Sequence, residues 1–217
     1  MNPIAFVFDM DGVIVDSNPF HKIALRQFCE QHGHHLTEAQ LREKIYGRTN
    51  KEWLTNIFGV LPPATLQQYA EEKEALYREL FKHQVAPLPG LSGFLQAMDD
   101  QQIERAIGTS APRSNVDFTL THTRLEKYFS IILDDRFVTH GKPHPEIYLK
   151  CADALQRKPA DCLVFEDSLS GVEAGRQAGC KVVGISTTHT AAELKDTHWV
   201  MPDFTSLTPL ELIKKLY

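Results

Sequence analysis

The stretch MNPIAFVFDMDGVIVDS (Met1–Ser17) decides how the rest of the chain is read. Ile4, Ala5, Phe6, Val7 and Phe8 form a short unbroken apolar run, the pattern of a strand buried on both faces of a sheet. The run delivers two carboxylates, Asp9 and Asp11, followed by Gly12. Two residues apart on extended chain, the two acids point to the same side just past the strand end. Anions that close repel one another unless a cation or a shared proton offsets them. A hard divalent cation such as Mg²⁺, which prefers oxygen ligands, meets that need, and Gly12 permits a tight turn beside the carboxylates.

An EF-hand loop would place an Asp or Asn two residues after Asp11 and a Glu at its twelfth position. Val13 and Phe20 stand there, so that reading fails. A strand-to-turn with two surface acids stays open on this stretch alone. Over the 217 residues, 24% are charged and 42% hydrophobic, as in ordinary globular proteins. A formal net charge of −5 argues against non-specific nucleic-acid binding. No apolar run approaches the roughly 20 residues that span a bilayer, and the N-terminus does not read as a signal peptide. Cys29, Cys151, Cys162 and Cys180 form no CxxC pair, so they are expected as buried or half-buried free thiols in a cytoplasmic protein.

After Ser17 the strand signal gives way to helical spacing. His21, Ala24, Leu25 and Phe28 recur at helical intervals, as do Leu66, Tyr69, Ala70, Lys73, Leu76, Tyr77, Leu80 and Phe81. Pro62 and Pro63 separate two helical blocks. From Val85 onward the pattern alternates. Helices are expected at 91–100, 113–125, 144–156, 171–178 and 209–216, and strands at 104–109, 130–133, 162–165, 182–185 and 199–201. Gly179 reads as the residue just past a helix end. Alternation of this kind implies a mainly parallel α/β sheet joined by right-handed crossovers. The expected organisation is a Rossmann-like core over residues 1–16 and 86–217, flanked by helices, with an all-helical insertion over 17–85.

In such a sheet ligands bind in the crevice at the carboxyl ends of the strands. Four strand ends carry suggestive side chains: Asp9 with Asp11, Thr109 with Ser110, Lys142 beyond the third strand, and Glu166 with Asp167. Acids for a metal, a nucleophile, hydroxyl donors and one cation suit phosphoryl transfer, where positioning and charge neutralisation do most of the catalysis.

Four segments, FDMDGVIVDS, AIGTSA, GKPHPEIY and VFEDSLSGVEAGRQAG, resemble the four motifs of the haloacid dehalogenase superfamily, in order and over essentially the whole chain. The likeness is to the branch with a cap inserted after the first motif, which holds the β-phosphoglucomutases and related sugar-phosphate phosphatases. The resemblance implies Asp9 as nucleophile, forming an aspartyl-phosphate, and Asp11 as general acid and base. It implies Thr109 and the amides around Ser110 as phosphoryl-binding groups, and Lys142 as the neutralising cation. Asp9, Asp11 and Asp167 are implied as the Mg²⁺ site, with Glu166 reaching the metal through water or orienting Lys142. His21, Arg48, Asn50 and Arg113 are the candidate substrate-binding residues. Asp11 favours phosphoryl chemistry over carbon–halogen cleavage. Asn50 aligns with the mutases' phosphate-binding arginine, and Ala111-Pro112-Arg113 stands where they have Ser-Lys-Asn. These departures favour a phosphatase acting on a small phosphorylated metabolite, with a sugar phosphate foremost. A β-phosphoglucomutase is the alternative, and a catalytically silent protein of this fold the third reading.

Plainer roles exist for several of these residues. Thr109 and Ser110 suit a helix cap, and Lys142 by itself suits a solvated surface. His32, His34 and His35 read as a solvated loop, and Trp53 and Trp199 as core residues. The expected protein is a cytoplasmic monomer or weak dimer that binds a small phosphorylated substrate and neither nucleic acid nor membrane. Its insertion is expected to hinge near residues 16–17 and 84–88.

Overall fold

The computed structural model describes residues 3–45 and 49–217. In chain order, strand β1 (Ala5–Phe8) leads into helices α1 (Asn18–Gln31), α2 (Glu38–Lys44), α3 (Asn50–Phe58) and α4 (Pro63–Phe81). The chain continues through α5 (Leu91–Asp100), β2 (Arg105–Gly108), α6 (Arg113–Thr123), β3 (Ile132–Leu133), α7 (Glu146–Ala154) and β4 (Cys162–Glu166). It ends with α8 (Leu169–Gln177), β5 (Lys181–Ile185), β6 (Trp199–Met201) and α9 (Pro209–Leu216). Two compact units result: Met1–Asp16 with Val85–Tyr217, and Ser17–Gln84.

The first unit is built on a six-stranded sheet in the order β3-β2-β1-β4-β5-β6, parallel throughout. Consecutive strands that lie parallel need crossovers, and the helices supply them. β1 is central and its four residues are all buried, which is why it reads as a continuous apolar run. Alternation then splits the core into two layers. Phe6 and Phe8 join Phe94, Phe165 and Phe204, with Phe8 and Phe165 stacked at 4.7 Å. Ala5 and Val7 face the opposite layer, which contains Ala106, Val164, Val182, Tyr148 and Cys151. Gly90 starts α5 at φ 79°, with Phe204 backbone 2.5 Å from where a Cβ would lie, so no other residue fits there.

The second unit is helical around Phe28, Leu41, Ile45, Trp53 and Leu54. Its described residues form four helices, α1 to α4, where two helical blocks were expected. Thr37 with Gln40 and Thr49 with Glu52 form capping boxes that start α2 and α3, while Pro63 begins α4. His32 also departs from the solvated-loop expectation. Its ring packs on Phe28 and Tyr69 (centroids 4.4 and 4.5 Å) and pairs with Glu72 at 3.0 Å, while His34 packs edge-on to Phe58. Trp53 is buried, but Trp199, on edge strand β6, is 38% exposed and lies under Lys215. All four cysteines are buried and free. No helix among the described residues is long and apolar enough to cross a membrane.

Candidate active site

Asp9, Thr109 and Asp167 each follow the last residue of a strand, and β2, β1 and β4 are adjacent and parallel, so the three side chains emerge at one edge of the sheet. Register fixes their level: Phe8 lies opposite Ile107 and Phe165, and the Asp9 N–H donates to the Phe165 carbonyl at 3.0 Å. Beyond Asp9 the chain coils tightly. The amides of Val13, Ile14 and Val15 turn back to the Met10 carbonyl, and Gly12, at φ 76°, donates to Val15 at 2.7 Å. That turn is the one Gly12 was expected to permit.

The carboxylates of Asp9, Glu166 and Asp167 offer ligand atoms within 4.8 Å of one another, and all three residues are buried. Lys142 reaches them from the loop after β3, with Nζ 3.0 Å from Asp9 Oδ1 and 2.5 Å from Glu166 Oε1. Glu166 is saturated with donors. Besides Lys142, it accepts from the Tyr148 hydroxyl (2.5 Å), the Asp167 and Ser168 amides (3.1 Å each) and Ser168 Oγ (3.0 Å). Its geometry is therefore that of a group that holds Lys142 in place. Thr109 is buried and does not cap α6, whose preceding residue is Pro112; its Oγ accepts from the Ala111 amide at 3.1 Å. Ser110 is exposed at the same edge.

Burial raises the Asp9 carboxyl to about 7, with repulsion from Glu166 and Asp11 adding to it and Lys142 opposing it. Burial, with the charges of Glu166 and Asp9, raises Asp167 to about 8. The same carboxylates hold Lys142 protonated, above its ordinary pKa despite its burial. Among the described residues, the buried carboxylates of Asp9, Glu166 and Asp167 thus crowd the Lys142 ammonium, with the charge of Asp11 acting on Asp9 as well. A donor set of hard oxygens with that excess of negative charge fits a divalent cation.

His21 and Asn50 belong to the helical unit. His21 stacks on Tyr77 (3.7 Å, 9°) with Nδ1 4.0 Å from Glu74 Oε2. Asn50 donates to Glu74 Oε1 (3.3 Å) and accepts from Trp53 Nε1 (2.9 Å), and Glu74 also pairs with the buried Lys73. Arg113 is exposed and bonded to Asp117 one turn on, at 2.7 Å. Arg48 lies outside the described residues.

Sequence reasoning passed over several contributors. Tyr148 lies within the helix expected at 144–156 and was not singled out there. Gly171 entered only as the first residue of the helix expected at 171–178, yet a Cβ there would lie 1.8 Å from Glu166 Oε1. Thr187 donates to the Gly12 carbonyl at 2.6 Å, and Thr188 hydrogen-bonds Asp167; both lie in the loop shortly after β5, the one signal that was available. Asp134, at the end of β3, is a further strand-end acid. Burial pushes its pKa up, but hydrogen bonds from Arg136 at 2.9 and 2.6 Å outweigh that and hold it below the usual range.

Residues 6–185 match the family model for haloacid dehalogenase-like hydrolases. A phosphorylated carbohydrates phosphatase from Thermotoga maritima is 36% identical over 180 residues, 81% of each chain. A β-phosphoglucomutase from Bacillus subtilis is 30% identical over 189 residues, 83% of this chain and 82% of the relative. The crystal structure of a family IA haloacid dehalogenase hydrolase from Entamoeba histolytica superposes with a TM-score of 0.90 at 29% identity, covering 98% of this chain and 99% of that one. The chain belongs to the haloacid dehalogenase-like hydrolases. Within that family it is an enzyme of the phosphatase or phosphotransferase kind.

Proposed function

We propose that the protein is a Mg²⁺-dependent phosphatase of small phosphorylated sugars that works through an aspartyl-phosphate on Asp9. The observation that carries this reading is the buried Asp9–Lys142–Glu166 chain at the ends of adjacent parallel strands. Asp9 attacks phosphorus as the carboxylate, a form that burial disfavours and Lys142 favours. Lys142 also offsets charge on the phosphoryl oxygens as they approach, and Glu166 keeps it aimed. Thr109, whose Oγ already accepts from Ala111, has its hydroxyl proton to donate to a phosphoryl oxygen. Asp11 gives a proton to the leaving sugar oxygen and takes one from the water that opens the aspartyl-phosphate, a role worth about 10²–10⁴-fold in rate. Asp9, Asp167 and the Asp11 carbonyl would hold Mg²⁺, which when bound neutralises charge on the phosphoryl group. Selection among sugars is assigned to the helical unit, with His21 and Asn50 as its candidate residues.

The Bacillus subtilis relative favours a second reading, β-phosphoglucomutase. One tube separates the two: β-glucose 1-phosphate, Mg²⁺ and a trace of glucose 1,6-bisphosphate. A phosphatase liberates free phosphate from this or another hexose phosphate in a panel. A mutase accumulates glucose 6-phosphate with little free phosphate. Failure to act on any phosphorylated sugar with Mg²⁺ present overturns both.

A further inference from the structure

A second ligand cluster lies outside the carboxylate site. His140, His144 and Glu146 each place one ligand atom within 4.8 Å of the others. The loop HGKPHPE brings them together by its own backbone contacts. Glu146, the first residue of α7, reaches back so that its carboxylate accepts from the Thr139 amide (3.1 Å) and the His140 amide (2.9 Å). His140 Nδ1 stands 3.3 Å from Glu146 Oε2, and His144 Nδ1 accepts from the Glu146 amide at 3.3 Å. The two rings are adjacent, with centroids 4.7 Å apart and planes tilted by 36°. Pro143 and Pro145 on either side of His144 limit how far that segment can unwind.

Glu146 closes the loop, and both imidazoles lie against it at the loop surface. Both histidines are exposed, so neither fills a core. Tetrahedral coordination with bonds of about 2.0–2.1 Å needs ligand atoms roughly 3.4 Å apart. Exposed rings on one loop reach that from 4.8 Å by side-chain rotation. Imidazole nitrogens prefer borderline ions to Mg²⁺, so this trio and the all-carboxylate cluster call for different metals. We propose that His140, His144 and Glu146 form a site for a divalent transition ion of the Zn²⁺ class. Bound there, the ion ties together the two sides of the loop that carries Lys142. Lys150, 2.8 Å from Glu146 Oε1, is the cation it partly displaces.

The test uses the full chain in excess Mg²⁺, titrated with Co²⁺ and then Zn²⁺, and does not depend on turnover. Wild-type protein is expected to give the intense visible band of low-coordinate, nitrogen-ligated Co²⁺, which Zn²⁺ abolishes, and Zn²⁺ is expected to raise its melting temperature. The H140A/H144A double variant should lose both responses, while H32A, which alters a histidine of the helical unit, should keep them. Circular dichroism checks that each variant is folded. A wild-type protein that shows no such band, or a double variant that retains it undiminished, overturns the proposal.

Discussion

Gly171→Ala adds one methyl group at the point where α8 passes the site. The new Cβ would lie 1.8 Å from Glu166 Oε1, 1.9 Å from Cδ and 2.3 Å from Oε2. To reach the 3.4 Å of ordinary van der Waals contact, the carboxylate must retreat by about 1.6 Å, farther than a hydrogen bond tolerates. Five donors converge on that carboxylate, including Lys142 and Tyr148. Unpairing one or two of them when buried costs about 1–3 kcal/mol each, and an unseated Lys142 approaches the roughly 3–5 kcal/mol of a broken buried ion pair. We expect a loss of about 3–5 kcal/mol, or a melting temperature lower by about 6–20 °C for a chain of this length. Turnover should fall with it, since Lys142 loses its aim at Asp9. Gly93→Ala is the control. Gly93 is exposed in α5 with nothing within 4 Å of its Cβ position, so the same methyl should stabilise by about 0.5–1 kcal/mol. Differential scanning calorimetry and phosphate release on both variants decide the matter. A G171A protein that melts within a degree of wild type and turns over normally refutes the role given to Glu166.

Three further outcomes follow from the same site. Tyr148→Phe removes one of five donors to Glu166 and should cost about 1 kcal/mol by urea denaturation, with a modest fall in kcat and an unchanged KM. Lys142→Ala leaves Asp9 and Glu166 facing each other without a cation and should destabilise the metal-free protein by about 3–5 kcal/mol, far more than an exposed lysine such as Lys150. The third concerns pH: Asp9 at about 7 and Asp167 at about 8 lie above their unfolded value of 3.8, so the folded state holds more protons. Their destabilising effect is absent below the unfolded value, grows through the interval and is complete above about 8. Melting temperatures of metal-free protein should therefore drop across that window, and saturating divalent cation should remove most of the drop.

The central strand, the alternation after Val85 and the strand-end acids were legible because a buried parallel sheet imposes them on local sequence. Continuous apolar runs mark strands covered on both faces, and side chains that break them with charge stand at strand ends. The strand expected at 130–133 is shorter in the structure: β3 pairs with β2 at Ile132 and Leu133, and Ile131 contributes only its carbonyl, which accepts from the Ile107 amide. The helix expected at 144–156 begins at Glu146, since that residue folds back on Thr139 and His140. The divisions of the helical unit were encoded in Thr37-x-x-Gln40 and Thr49-x-x-Glu52, which apolar spacing alone does not register. Tyr148 and Gly171 were illegible for another reason. Their importance comes from Glu166, 18 and five positions away, and no local pattern announces which side chain a helix will press against.

The most direct test of the account is to catch phosphate on Asp9. Wild-type protein mixed with a turned-over hexose phosphate and Mg²⁺, quenched in acid within the first turnover and digested, should yield the N-terminal peptide heavier by one phosphoryl group, with hydroxylamine removing the label as expected of an acyl phosphate. Asp9→Asn should give neither label nor turnover while melting no lower than wild type. An unlabelled wild-type peptide under steady turnover, or phosphate release that survives in pure Asp9→Asn protein, would contradict the assignment of Asp9 as nucleophile.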